Sequence, residues 1–423
     1  MNKIKILIKN EYIYSIITKF ITVLIGLFQS VITARFLGSS LQGLSSYISS
    51  IMAIGSIVIT LGLHQAYPYF RKKYGKEYIY QDFLSIIVII YTIYAIVAFF
   101  LAGFLFKTVE LRIAIILVPV YGYDNVVSYI CLIESPNKRN RWWTLISLAD
   151  LIFVMVLMLL SDSSILSVVE ILLFAEGLKS IVYTGMLHIK LHFHKGLIKL
   201  AIKMFRMGIF PMLALLMTTL NYKIDILMLR SFEFITAAQI GIYSIGMTYA
   251  DKIALIPDTL KGVLVSKLSK GADEHEVARV ARLCFWASII MCISFMIIGE
   301  PFFNFFYGKE YAGAYQVLMI CSVGSIFVGF FKLIAQYNIV HRRQIRNVIL
   351  LSISIIANIL LNCILIPKFQ LAGAAFASGV GYFLSGIVFI IWFAKGNKIS
   401  IREMFLIQRS DFFMLKGLKK NNF

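Results

Sequence analysis

Two charged residues interrupt a long apolar segment, and their types and spacing suggest chemistry with ions inside a membrane. In the stretch "GIFPMLALLMTTLNYKIDILML" (208–229), Lys223 and Asp225 are the only charged side chains. A lysine can bind phosphate as a compact positive charge, and a buried carboxylate can bind a cation or a proton. Side chains two residues apart on a helix point about 200° apart, so these two must have different neighbours.

Other charged side chains lie in similar apolar segments, where they are costly unless they face a cavity or a partner. The bases are Lys19, Lys179, Lys223, Lys252, Lys261 and Lys332, and the acids are Asp124, Asp150, Glu176, Asp225, Asp251 and Asp258. Equal numbers favour internal ion pairs. Spacing by three residues predicts the pairs Glu176–Lys179 and Asp258–Lys261, and Lys19 is near enough to a segment end to extend to the membrane surface.

Three of the lysines form a candidate site for an anion. Lys223, Lys252 and Lys332 all belong to the second half of the chain. If each faces a common cavity, together they would bind a diphosphate; the alternative is that they are structural. Arg35 and Arg230 could form the outer rim of that cavity, with anchoring at the membrane interface as the alternative.

Two of the acids are candidates for ion coupling. Asp124, in "YGYDNVVSY", follows Pro119 and is surrounded by polar side chains. It could bind a proton or sodium ion, or it could cap a helix at a kink caused by the proline. Asp225 is the second candidate, with attachment of its helix to a neighbouring helix as the alternative.

Composition places the chain in a membrane. Of its 423 residues, 60% are hydrophobic and only 15% are charged, against about a quarter charged in soluble domains. No P-loop is present, so ATP hydrolysis is not implied. The five cysteines form no CxxC pair, and we expect neither disulfides, nor a metal site, nor any other cofactor.

The apolar segments predict an all-α membrane protein with about twelve transmembrane helices, since about 20 apolar residues span a bilayer. The segments are 12–35, 44–68, 83–106, 112–133, 143–160, 167–189, 207–229, 239–264, 283–306, 313–340, 347–366 and 372–394. The connectors between them are short. The chain therefore lacks a loop large enough to form an extramembrane catalytic domain.

The basic residues predict the orientation, because Lys and Arg concentrate in cytoplasmic loops. With connectors assigned alternately to the two sides, 29 of the 41 basic residues fall on one side and six on the other. We therefore predict that both termini are cytoplasmic. Attraction to anionic lipid headgroups accounts for most of the +20 charge, so no nucleic-acid partner is implied.

An internal repeat suggests two lobes. The turn "ARFLGSSLQGLSSYISSI" (34–51) is similar to "LRSFEFITAAQIGIYSIGM" (229–247). In each, an arginine ends a helix and a glycine-containing turn starts the next. Two parallel six-helix lobes with a central cavity are therefore predicted: an N-terminal lobe over 1–200 and a C-terminal lobe over 201–395. Residues 396–423 would form a basic cytoplasmic tail, either solvated or on the membrane surface.

Four stretches, in order along the chain, resemble motifs of the polysaccharide flippases in the multidrug/oligosaccharidyl-lipid/polysaccharide exporter superfamily. They are "ARFLGSSLQG" (34–43), the stretch 223–270 that begins "KIDILMLRSFEF", "FFNFFYGKEYAGAYQVLMICSVGSIF" (302–327) and "NILLNCILIPKFQLAGAAFASGVGYFLSG" (358–386). The chain departs from the family motif in one place: "SKLS" at 266–269 begins with Ser266, where the family motif has a proline.

The resemblance implies a flippase of the O-antigen or capsule type in the bacterial plasma membrane. It would move an oligosaccharide linked to undecaprenyl diphosphate to the outer leaflet. Further partners to expect are membrane lipids, a coupling proton or sodium ion, and polysaccharide polymerase machinery. The resemblance does not identify the sugar.

Two alternatives remain at this stage. A multidrug antiporter of the same superfamily would bind organic cations, for which we expect acids rather than central lysines. A membrane glycan polymerase, ligase or acyltransferase would need a sizeable outward loop with catalytic Arg or His. The predicted outward loops are short and contain none of the six histidines, so the sequence favours a transporter over an enzyme.

Overall fold

A computed structural model describes residues 11–104, 108–269, 271–408 and 411. Within this part of the chain there are thirteen α-helices and one short 3₁₀ helix, Lys309–Tyr311. The α-helices are α1 Glu11–Thr60, α2 Leu63–Tyr74, α3 Lys76–Phe104, α4 Val109–Glu134, α5 Pro136–Leu160, α6 Ile165–Leu187, α7 Gly196–Ser231, α8 Ala237–Lys252, α9 Leu255–Ser269, α10 Glu274–Phe306, α11 Ala312–Val340, α12 Gln344–Asn397 and α13 Ile401–Phe405. The predicted all-α fold is confirmed.

Some predictions concern residues outside this described part. They include the basic residues Lys3, Lys5, Lys9 and Lys107, and the end of the predicted tail after Asp411. The side chain of Lys19, predicted to extend to the membrane surface, also lies outside the description.

Eight helices of the described chain are long and apolar enough to cross a membrane. Two of them contain two predicted segments each. The apolar part of α1, Phe20–Thr60, has 41 residues, enough for two spans of about 20 residues each. It bends at Gly38, where φ is 69°. In α12 the bend is at Gln370, where φ is 51°. Each of these non-helical residues lies in the predicted connector between the two segments, so the two predicted breaks are confirmed.

The prediction of one unbroken helix over 239–264 is wrong. The helical stretch divides into α8 and α9, with a turn in which the Ile253 amide donates to the Ala250 carbonyl. Pro257 explains the break, because proline has no amide hydrogen to donate to the residue four positions earlier. The proline instead occupies the first turn of α9, where amide donors have no partner within the helix.

Contacts within the chain define two compact units. Unit 1 contains residues 1–219 and 233–241, and unit 2 contains residues 220–232 and 242–423. In unit 1, buried side chains of α2, α3, α4 and α6 form one core, represented by Tyr67, Phe83, Ile130 and Tyr183. A second core in unit 1 joins α1 to α4, with Ile48 and Ala114 fully buried.

In unit 2 the most enclosed long helix is α11, and small residues allow α12 to pack closely against it. A Cβ atom added to Gly324 would overlap the backbone carbonyl of Gly379. Such close approach of backbones stabilises helix pairs in membranes through van der Waals contact. Buried aromatic rings of the two helices, among them Phe331 and Phe389, fill the space beside this contact.

The two repeated turns meet each other within unit 1. Gly43 of the first turn lies against Gly241 of the second, and a Cβ atom on either would overlap backbone atoms. Gly43 would overlap the Ala237 carbonyl, and Gly241 would overlap that of Ser39. Both glycines have ordinary helical backbone angles, so close packing explains their type better than a special conformation.

The start of the predicted tail packs against α10. Arg282 donates hydrogen bonds of 2.8 and 2.6 Å to the carboxylate of Asp411, and both side chains are at most 2% exposed. Burial acts to raise the pKa of Asp411. The hydrogen bond from Arg282, assisted by the Gln408 amide and by Arg279, outweighs burial and holds the pKa below its usual value.

Candidate functional site

The three lysines predicted to bind an anion are brought near one carboxylate in unit 2. Asp251, near the end of α8, lies close enough to Lys223, Lys332 and Lys252 to interact with each of them electrostatically. Its carboxylate also accepts a hydrogen bond of 3.3 Å from the Tyr382 hydroxyl. Lys223 and Lys252 are half-buried and form no hydrogen bond or ion pair with the described residues.

Lys332 is bound differently from the other two lysines. Its Nζ lies 2.6 Å from Oδ2 of Asp258 and 5.3 Å from the centre of the Tyr222 ring. Lys261 lies 3.0 Å from the other oxygen of Asp258, which confirms the predicted Asp258–Lys261 pair. In this group four lysines accompany two aspartates, a net charge of +2.

Two neutral side chains beside Lys223 were missed by sequence reasoning. Asn221 is fully buried, yet neither its amide nitrogen nor its oxygen has a partner among the described residues. The buried hydroxyl of Tyr222 also has none. Unpaired buried polar atoms are costly and call for an explanation. The tripeptide Asn221–Tyr222–Lys223 therefore has hydrogen-bonding capacity that the described chain does not use.

Asp225 connects α7 to α12, in agreement with the prediction that its neighbours differ from those of Lys223. The carboxylate accepts hydrogen bonds from Asn362 at 3.0 Å and from Ser378 at 2.6 Å. Tyr243 is hydrogen-bonded to the same serine at 2.9 Å. Asp225 is 1% exposed, and these neighbours are neutral, so its negative charge has no cationic partner among the described residues.

The two arginines predicted at the rim lie near helix bends and ends. Arg35 is exposed on α1, three residues before the bend at Gly38. Arg230 is half-buried in the last turn of α7. Each interacts with another described group. Their proposed contact with a substrate remains a prediction.

A group of acids surrounds one lysine in unit 1. Glu176 and Lys179 form the predicted ion pair, at 2.8 Å. Asp124 and Asp150 both lie close enough to this pair to interact electrostatically with Glu176 and Lys179. The three acids are 5–8% exposed, and each has a buried oxygen without a partner among the described residues.

The helix-capping alternative for Asp124 is wrong. Helix α4 runs unbroken from Val109 to Glu134, so Asp124 is not at a helix end. The described residues contain no group of His, Cys, Asp or Glu arranged to bind a metal ion. A buried cluster of three acids and one lysine can nevertheless exchange protons, because charge is costly there unless it is compensated.

A polar cavity close to this cluster was also missed. It has a volume of about 320 Å³ and lies between α1, α2, α4, α5 and α7, with Thr60, His64, Asn125 and Arg139 among its lining residues. Arg139 donates a hydrogen bond of 3.0 Å to Ser128. This cavity could not be predicted from the sequence, because its polar residues are dispersed over five helices.

A match to a family sequence profile shows to which class of proteins this chain belongs. The sequence profile of the family described as "Polysaccharide biosynthesis protein" matches residues 32–316. Because the match covers well over half of the chain, the protein belongs to the polysaccharide biosynthesis protein family. A search of curated proteins gave no match.

Solved structures then show the fold. The lipid II flippase MurJ in an inward closed conformation matches with a TM-score of 0.70 and 16% identity, over 96% of this chain and 92% of that one. An inward-facing multidrug resistance MATE transporter of the MOP superfamily has a TM-score of 0.64 and 14% identity, with coverage of 89% and 94%. A Vibrio cholerae MATE transporter has a TM-score of 0.61 and 13% identity, with coverage of 92% and 94%. The chain therefore has the fold shared by MurJ and MATE transporters.

Proposed function

We propose that the protein is a flippase for oligosaccharide repeat units linked to undecaprenyl diphosphate. It would move them from the cytoplasmic to the outer leaflet of the bacterial plasma membrane during synthesis of O-antigen, capsule or a related surface polysaccharide. Membership of a polysaccharide biosynthesis family supports the pathway, and the fold supports transport rather than enzymatic catalysis.

The observation that carries this proposal is the positive charge around Asp251. Lys223 and Lys252 are half-buried without hydrogen bonds to described residues, and both lie near this carboxylate with Lys332. Such a site is suited to an anion, because a buried excess of positive charge is costly until a negative group compensates it. A diphosphate supplies that charge, and the unpaired amide of Asn221 can add a hydrogen bond. Arg35 and Arg230 would assist at the rim.

Two acids are candidate sites for a coupling ion, and this proposal is separate from the proposal that the lysines bind a diphosphate. Asp225 is buried among neutral donors, so a proton or sodium ion would compensate its charge. Asp124 interacts electrostatically with Glu176, and two neighbouring buried carboxylates repel each other unless one of them binds a proton or another cation. Membrane lipids and the polysaccharide polymerase machinery are further candidate partners.

Deletion of the gene tests this function. In a strain without a redundant flippase, we expect loss of the surface glycan and accumulation of lipid-linked repeat units that face the cytoplasm. The wild-type gene on a plasmid should restore the glycan. A deletion strain with a normal surface polysaccharide would contradict the proposal.

An organic-cation antiporter is the second candidate, and one observation favours it. The acids Asp124, Asp150 and Glu176 outnumber Lys179 in their cluster, and such a site could attract a cation. Drug susceptibility separates the two functions. If the protein were an antiporter, the deletion strain would become sensitive to cationic drugs and keep its surface glycan. We expect the deletion strain to lose its surface glycan and keep its drug susceptibility unchanged.

A further inference from the structure

A cleft in unit 1, distinct from the sites described above, combines a basic rim with an apolar wall. Its volume is about 900 Å³, and it is formed by the start of α3, the end of α4, the start of α5 and the end of α6. These helix ends all lie on the side that the distribution of basic residues predicts to be cytoplasmic. The cleft is therefore expected at the level of the inner leaflet headgroups.

The rim has two cations that lack partners. Lys138 and Arg141 are exposed, and neither forms an ion pair or hydrogen bond with the described residues. They are three positions apart on α5, so they project from the same side of the helix. Glu134, the acid that lines the cleft, is already bound by Arg71 at 2.5 Å and by Lys76 at 2.9 Å. The positive charge of the rim is thus not neutralised within the described chain.

The wall beyond the rim is apolar and exposed. Trp142 is 42% exposed, Leu145 is 45% exposed and Ile181 is 73% exposed, and Met186 completes this surface. Ile181 is seven residues from His188 at the end of the cleft, a distance of about 10 Å along a helix. The wall therefore runs from the charged rim toward the hydrocarbon region.

We propose that this cleft binds one anionic phospholipid of the inner leaflet. The phosphate would lie between Lys138 and Arg141, and an acyl chain would lie along Leu145, Ile181 and Met186. Charge complementarity selects an anionic headgroup over a zwitterionic one. The apolar wall selects a lipid over a soluble anion, since a free phosphate would leave that wall unused. This site is independent of the proposed transport function.

Lipid binding to the purified protein tests the proposal. Native mass spectrometry in detergent should show preferential binding of phosphatidylglycerol over phosphatidylcholine. The double variant Lys138→Ala/Arg141→Ala should bind phosphatidylglycerol roughly 25-fold more weakly, at about fivefold for each cation near a lipid surface. The matched control is Lys199→Ala/Lys203→Ala, which removes two exposed lysines of α7 outside the cleft. The control should bind as the wild type does.

Two further experiments identify the chemical class of the ligand. Ile181→Ser/Met186→Ser should weaken phosphatidylglycerol binding while the cations remain, and inorganic phosphate should not displace the lipid. Unchanged binding by the rim variant would overturn the proposal, as would equal loss in the control. Displacement by inorganic phosphate would indicate a soluble-anion site, and a preference for undecaprenyl phosphate of tenfold or more would indicate a substrate-lipid site; either would contradict the phospholipid assignment.

Discussion

The ammonium group of Lys332 lies 2.6 Å from the carboxylate of Asp258 and 5.3 Å from the centre of the Tyr222 ring. Lys223, one residue after that tyrosine, has neither kind of contact and interacts with Asp251 electrostatically. The lysines of unit 2 therefore differ in what binds them within the protein. Lys332 is already compensated, whereas Lys223 retains hydrogen-bonding capacity for a ligand.

Lys332 should contribute to stability as well as to function. Lys332→Ala removes the cationic partner of Asp258 at 2.6 Å, and we expect less folded protein. The loss should be below the about 3–5 kcal/mol found for breaking a fully buried pair, because the Asp258 side chain is 27% exposed. Thermal unfolding in detergent measures this. Adding Asp258→Asn to Lys332→Ala should recover part of the loss, and a double variant as unstable as the sum of both single variants would contradict the pairing.

Asp225 should respond differently to two substitutions. Asp225→Ala removes one acceptor of Asn362 and of Ser378. Ser378 can still donate to the Ala374 carbonyl, but one amide hydrogen of Asn362 loses its acceptor, and an unpaired buried donor costs about 1–3 kcal/mol. We therefore expect less folded protein in the membrane. Asp225→Asn keeps an acceptor oxygen but removes the charge, so it should fold and lose dependence on a coupling ion. Quantitative blotting and ion-dependent export measure the two effects. Wild-type amounts of Asp225→Ala would show that the contact with α12 is dispensable.

Asp124 should matter through its ability to carry a proton. Asp124→Asn keeps the shape of the side chain and prevents ionisation, so export should lose its dependence on the proton or sodium gradient. Asp162→Asn is the matched control, because Asp162 is exposed in the connector between α5 and α6. Export is measured as surface glycan, with and without an ionophore. If both variants responded to the ionophore as the wild type does, Asp124 would have no part in coupling.

The contact of the tail start with α10 should make stability depend on pH. The folded state lowers the pKa of Asp411, so the ion pair with Arg282 stabilises the fold at pH values above the unfolded pKa of about 3.9. This contribution is lost as the pH falls through the folded value. Asp411→Asn should therefore be less stable than the wild type at pH 7, with a difference that shrinks toward acid pH. Unfolding midpoints at a series of pH values test this, and a constant difference would contradict the linkage.

The sequence predicted the long apolar helices well, because a run of about 20 apolar residues has few alternatives to a membrane helix. It predicted the Glu176–Lys179 and Asp258–Lys261 pairs for a similar reason, since their spacing on one helix is sufficient. It failed at the eighth segment, where Pro257 breaks a run whose hydrophobicity is continuous. At that position the missing amide hydrogen of a single proline breaks the helix, although the hydrophobicity of the segment predicts a continuous one.

Contacts between distant segments could not be predicted. Lys332 and Asp258 are 74 positions apart, and no local spacing relates them. The same holds for Asp225 and Ser378, and for the polar cavity that contains Arg139. In each case helix packing selects the partners, and the sequence states only that the residues are polar within apolar surroundings. The repeat related the turns that contain Gly43 and Gly241 to each other, but the packing of these two glycines was not predicted from it.

Lys223 is proposed to bind the diphosphate of the substrate, and the amount of glycan exported per molecule of protein measures whether it does. Surface glycan is measured in the deletion strain with Lys223→Ala, Lys223→Arg and the control Lys203→Ala, an exposed lysine on the same helix, each normalised to protein in the membrane. We predict at least tenfold loss for Lys223→Ala, substantial retention for Lys223→Arg because the charge survives, and normal export for the control. Normal export by Lys223→Ala, or a loss no larger than its loss of protein, would contradict the claim.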